Sequence, residues 1–141
     1  MFSSSADKAP GLMVRTLRDP DGANLDRVQV IKGWLDDKGE THERIYDVAV
    51  SDGRAKKPVG STVDIEKATC TNTIGDAVMA AHWTDPDFDP KEPPFNYVRV
   101  LEIPTPRWTT CDAAFFNIKR PDNGPATFRD RACSSPIWYT P

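Results

Sequence analysis

Thirteen prolines in a chain of 141 residues limit its architecture more than any other feature. Proline fixes φ and has no amide donor, so it breaks helix interiors and the middle of sheets. Asp85-Pro-Asp-Phe-Asp-Pro-Lys-Glu-Pro-Pro94 holds four of them and excludes regular structure there. A helical bundle is disfavoured, and short strands joined by loops are the natural alternative.

The clearest strands frame a turn. Asp26 to Leu35 carries Val28, Val30, Ile31 and Trp34. Arg44 to Val50 alternates, with Tyr46, Val48 and Val50 on one face and Ile45, Asp47 and Ala49 on the other. Asp36-Asp-Lys-Gly39 between them predicts a type I turn with glycine at positive φ, hence a β-hairpin. Gly11 to Arg18 reads as a strand, and Asp19-Pro-Asp-Gly22 as a turn. Ser51 to Pro58 is a polar loop. Ser61 to Ile65 is read as a short strand, and Ala68 to Ile74 as a strand or extended connector. Ala77 to Trp83 and Phe95 to Ile103 are strands, expected to form a hairpin across the proline-rich loop. In the second, Val98 and Val100 face opposite to Tyr97, Arg99 and Leu101.

Thr109-Thr-Cys-Asp112 and Thr127-Phe-Arg-Asp130 have capping-box spacing, and each predicts a helix of one or two turns. Ile137-Trp-Tyr139 is expected to dock back as a last strand. The predicted fold is mainly β: an antiparallel, immunoglobulin-like β-sandwich with one or two short C-terminal helices. Residues 1–10 are expected to be a disordered arm, and residues 11–141 a single domain.

The net charge of −3 comes with both signs interspersed, and no basic stripe marks a nucleic-acid face. No run of 18 apolar residues exists to span a membrane. Met1-Phe-Ser-Ser-Ser lacks the apolar core of a signal peptide, so a soluble protein is expected and its compartment stays open. Cys70, Cys111 and Cys133 are far apart and form no Cys-x-x-Cys, which argues against zinc. Buried free thiols are expected; one disulfide plus a spare thiol is the alternative.

Few residues suggest chemistry. His42 and His82 are the only histidines. A lone histidine is more often structural than a metal ligand, and His82 is kept as a candidate for a ligand site or domain interface. Asp85, Asp87 and Asp89 alternate as calcium ligands can, but the sixth position from Asp85 is Pro90 rather than glycine. Turn-forming aspartates are the plainer reading, with a weak calcium site as the alternative.

Arg107-Trp108 follows two stiffening prolines. A guanidinium beside an indole can present a planar charged edge to a carboxylate or phosphate. The pair serves either a pocket or domain seam, or as a loop anchor with Trp108 packed inside. Trp34, Trp83 and Trp138 are expected in the core. No Gly-x-Ser-x-Gly and no glycine-rich phosphate loop is present, and no cofactor is expected.

Several blocks carry a family resemblance: Asp19-Pro-Asp-Gly-Ala-Asn-Leu-Asp-Arg27, Val30-Ile-Lys-Gly-Trp34, Trp83-Thr-Asp-Pro-Asp-Phe-Asp-Pro90, Arg99-Val-Leu-Glu-Ile-Pro-Thr-Pro-Arg-Trp108 and Ser135-Pro-Ile-Trp-Tyr-Thr-Pro141. From Pro10 onward the chain resembles the C-terminal region of the family termed domain of unknown function three-six-zero-four. The resemblance implies larger proteins whose N-terminal half is similar to polymerase-and-histidinol-phosphatase (PHP) metal-dependent hydrolases and carries the metal ligands.

It also implies that this chain is a non-catalytic accessory domain or fragment partnered by a PHP-like hydrolase domain; alone, its bared apolar seam is expected to give a homodimer or another self-association. The alternative is a stand-alone ligand- or carbohydrate-binding module using Trp108 or Trp83 as a stacking surface.

Overall fold

The computed structural model describes residues 8–54 and 57–141. Positions 1–7 of the expected arm and positions 55 and 56 of the expected polar loop lie outside the described residues. In chain order the elements are β1 (Gly11–Leu17), β2 (Leu25–Leu35), β3 (Thr41–Val50), β4 (Val78–Thr84), β5 (Phe95–Glu102), β6 (Thr105–Pro106), α1 (Trp108–Phe116), β7 (Thr127–Phe128), β8 (Arg131–Cys133) and β9 (Ile137–Trp138). The protein is mainly β, with antiparallel sheets and one short α-helix among the described residues.

β2 is the axis of a five-stranded sheet ordered β3-β2-β5-β8, with β9 also on β5. Val28, Val30 and Ile31 suit a strand covered on both faces, and residues 25–33 are almost wholly buried. The predicted β2–β3 hairpin is present. Gly39 sits at φ 78° and its N–H bonds Asp36 O at 2.9 Å.

The predicted alternation of β3 breaks at a bulge. Val28 faces Ala49 while Gln29 faces Asp47, so Val48 is the extra residue. Val48 and Ala49 therefore both pack on the core, along with Val98 and Val100 of β5 as predicted. On the opposite face a polar ladder runs across three strands. Arg99 donates to Gln29, Gln29 to Asp47 at 2.7 Å, and Arg27 to Asp47 at 2.9 Å.

The expected β4–β5 hairpin does not form. β4 pairs along its whole length with β1, from Gly11↔Thr84 to Leu17↔Val78, as a separate two-stranded ribbon. The proline-rich loop carries the chain from this ribbon to the large sheet, because prolines without donors cannot continue a ladder. Met79 and Val14 of the ribbon pack with Leu25 and Val28 of the sheet. A smaller cluster of Ala23, Val59, Ile103 and Ile74 closes the other end. Residues 61–74 hold only an Asp64↔Thr69 bridge: the strand expected at Ser61 to Ile65 is absent, and Ala68 to Ile74 is a connector and not a strand.

One of the two predicted helices exists. α1 starts after Arg107 in extended conformation, with no side-chain cap. The Thr110 hydroxyl donates instead to Ala126 O at 2.7 Å. The helix ends at Asn117 in the left-handed region, φ 52°.

The second capping-box spacing gives strands. Thr127 and Phe128 pair with Pro106 and Thr105, and residues 131–133 line the free edge of β5. Unpaired edge groups on β5 outweigh a one-turn helix, whose nucleation is costly. Ile137 and Trp138 dock back as predicted, and Tyr139 N–H bonds Pro94 O at 2.9 Å.

All three cysteines are free. Cys70 is half-buried, whereas Cys111 and Cys133 are exposed rather than buried as expected. Among the described residues no helix is long and apolar enough to cross a membrane.

Candidate functional site

Two charges lie inside β2. Lys32 is 1% exposed. Its Nζ sits 2.7 Å from Asp85 Oδ2 and donates to Asp87 O at 2.7 Å. Asp85 Oδ1 accepts the Asp87 N–H, closing the turn at the head of the proline-rich loop. Asp85 Oδ2 has the ion pair but no aligned hydrogen bond.

The Asp87 carboxylate points outward to Tyr46 OH at 2.5 Å and Arg44 Nη1 at 2.6 Å. These two donors hold it below the usual carboxylate range. The Tyr46 phenol is pushed up to about 12, first by burial and then by Asp87. Asp89 accepts the Lys91 N–H at 2.8 Å. The three alternating aspartates thus face three different ways and fasten the loop.

Asp26 is the second buried charge, at 0% exposure. Three guanidiniums surround it. Arg129 lies at 2.6 Å, Arg27 at 3.2 Å, and Arg54 on the other oxygen. Arg54 also bonds Ser51 O and Lys57 O. One carboxylate therefore ties β2 to the loop after β3 and to the chain before β8.

At the far end of β2 a cavity of about 460 Å³ opens on the large sheet. Trp34, His42, Glu43, Pro93, Phe95 and Trp138 form most of its wall. Gly33 explains its floor. A Cβ there would overlap the Phe95 ring, so glycine lets Phe95 lie across the strand. Phe95 meets Trp138 at 5.0 Å and 46°. On the other face of the sheet, Trp34 stacks on its cross-strand partner His42 at 5.3 Å and 22°, and Lys32 Nζ lies 5.4 Å from the Trp34 ring.

His42 Nε2 is 3.0 Å from Asp36 Oδ2. The imidazole and the hairpin-tip amides hold the Asp36 carboxyl below its ordinary range. Asp36, Glu40 and His42 are the one group of described residues whose ligand atoms gather closely enough for a metal ion, all at the hairpin tip.

The last third presents apolar surface. Trp108 is 65% exposed and Phe115 82%, with Phe116 and Ile118 also in water. Thr110 is the buried residue of α1.

The residues nominated from sequence are dispersed. Trp108 stands on α1, not in the core. Arg107 is half-buried, its guanidinium beside Gly124. His82 is exposed on β4. Trp83 is half-buried against Tyr46 at 5.1 Å. None of these four lines the aromatic cavity. Trp138, expected in the core, is 68% exposed and does line it. Sequence reasoning missed Lys32, although a lysine inside an apolar strand is itself a sign of a buried partner.

No curated protein and no solved structure matches the chain. The family model described as "Protein of unknown function (DUF3604)" matches residues 1–141. With every position inside that match, the chain belongs to the DUF3604 family.

Proposed function

We propose that this chain is a non-catalytic accessory domain that packs on a PHP-like, metal-dependent hydrolase portion of its family. The observation that carries the reading is the uncovered apolar surface of α1 and of Ile118 just past its cap: Trp108, Phe115, Phe116 and Ile118. Several large apolar side chains left exposed on one short element mark an interface more often than a free face.

Val14 and Met79 of the ribbon pack with Leu25 and Val28 of the large sheet, and this contact supports an immunoglobulin-like sandwich. Catalysis belongs to the hydrolase portion in this reading. When the domain is alone, a second copy covers the same helix and gives a homodimer.

Light scattering of the isolated chain and of a mixture with the hydrolase portion tests this. Association is expected in at least one sample and is lost in Phe115→Glu/Phe116→Glu with the circular dichroism spectrum unchanged. A monomer at high concentration that ignores the hydrolase portion sinks the reading. So does esterase or phosphatase activity of the isolated chain that survives chelators and repurification.

A further inference from the structure

We infer that the cavity beside Gly33, Phe95 and Trp138 binds a neutral carbohydrate, with one pyranose ring lying against the Trp138 and Phe95 rings. The volume of about 460 Å³ falls within the range of about 300–1,000 Å³ typical of small-molecule sites. Its walls are mostly aromatic and apolar, while Glu43 and Thr41 offer oxygen acceptors.

Charge selects among ligands. No lysine or arginine lines the cavity, and its one carboxylate is Glu43. A phosphate or carboxylate ligand would find no lysine or arginine there and would meet the Glu43 carboxylate. A sugar brings what the site lacks: hydroxyl donors for Glu43 and Thr41, and a C–H face for the rings.

The walls are also held in place before any ligand arrives. Phe95 is seated over Gly33. β9 holds Trp138 on β5. Preformed walls lower the ordering cost of binding a weakly held ligand. Trp138 is a large indole left in water at the cavity mouth, where a ring can stack on it.

The inference stands apart from the accessory-domain reading. β5 starts beside the cavity at Phe95 and ends at Glu102, and α1 begins beyond that far end.

The test is titration of the whole chain with cellotetraose, mannotetraose and chitotetraose, followed by tryptophan fluorescence and by NMR shifts. Choline and inorganic phosphate serve as the other arms. At least one oligosaccharide is expected to saturate at millimolar concentration or below. Trp138→Ala weakens it by about tenfold, a loss of about 1.4 kcal/mol. Trp138→Phe retains part of the affinity, and Trp108→Ala changes nothing. Glu43→Gln weakens binding severalfold. Failure of all three sugars to saturate overturns the inference, as does binding unaffected by Trp138→Ala. Saturation by choline or phosphate alone overturns it as well.

Discussion

β2 buries two charged side chains, Asp26 and Lys32, while residues 108–138 leave Trp108, Phe115, Phe116, Ile118 and Trp138 in water. Burying an ion costs several kcal/mol unless partners compensate. β2 meets that cost with the Arg27, Arg54 and Arg129 guanidiniums on one side and Asp85 on the other. The last third has the opposite arrangement. Each large apolar side chain there could contribute about 1.5–3 kcal/mol on burial, and that energy is unused within the chain. Polar groups therefore fix the middle of this fold, and apolar groups are left available at its end.

The strongest way to break that contrast is Asp26→Ala. Three guanidiniums lose their shared carboxylate, and a loss of about 3–5 kcal/mol is expected in urea denaturation. Next, Lys32→Met strands the Asp85 carboxylate in the interior and costs about 3 kcal/mol. Lys32→Met/Asp85→Leu recovers most of that loss, because an apolar pair of similar volume needs no desolvation. A double recovering nothing would mean the pair is held for its geometry.

A smaller effect comes from pH. The Tyr46 phenol has an ordinary value of 10.0 and is raised to about 12 in the fold. A raised value means folding favours the protonated form. The contribution is complete below pH 10 and is lost as pH climbs through about 12. Denaturation midpoints across this window should fall, and Tyr46→Phe should flatten the fall. At the bare end, Phe115→Ser should change the stability of the monomer by no more than about 0.5 kcal/mol. A larger loss there would mean that α1 is already covered.

What the sequence disclosed followed range of interaction. The β2–β3 hairpin was legible because Asp36 to Gly39 encodes its own turn within a few residues. β5 and the returning Ile137–Trp138 were legible from composition. The partner of β4 was not. Ala77 to Trp83 says that a strand exists, but nothing in it distinguishes β1, some sixty positions away, from nearby β5.

Thr127 to Asp130 carries a real helix-start spacing, yet pairing with Thr105 and Pro106 and the pull of Asp26 on Arg129 override it. The Asp26 cluster joins residues 103 positions apart, so no local window contains it. Trp138 misled for a related reason. Its composition fits a core strand, and only its place at the sheet margin turns the indole outward.

The margin beside β5 has a consequence for self-assembly. Its outer strand is split into β8 and β9 with Ser134, Ser135 and Pro136 between them, so no long row of free amides is offered to another chain. β1 is different: seven uninterrupted residues, paired on one side only, with Met13 and Leu17 facing solvent. Edge pairing with another chain is therefore open along β1 and along the outer side of β3, and the proline-interrupted side beside β5 resists it.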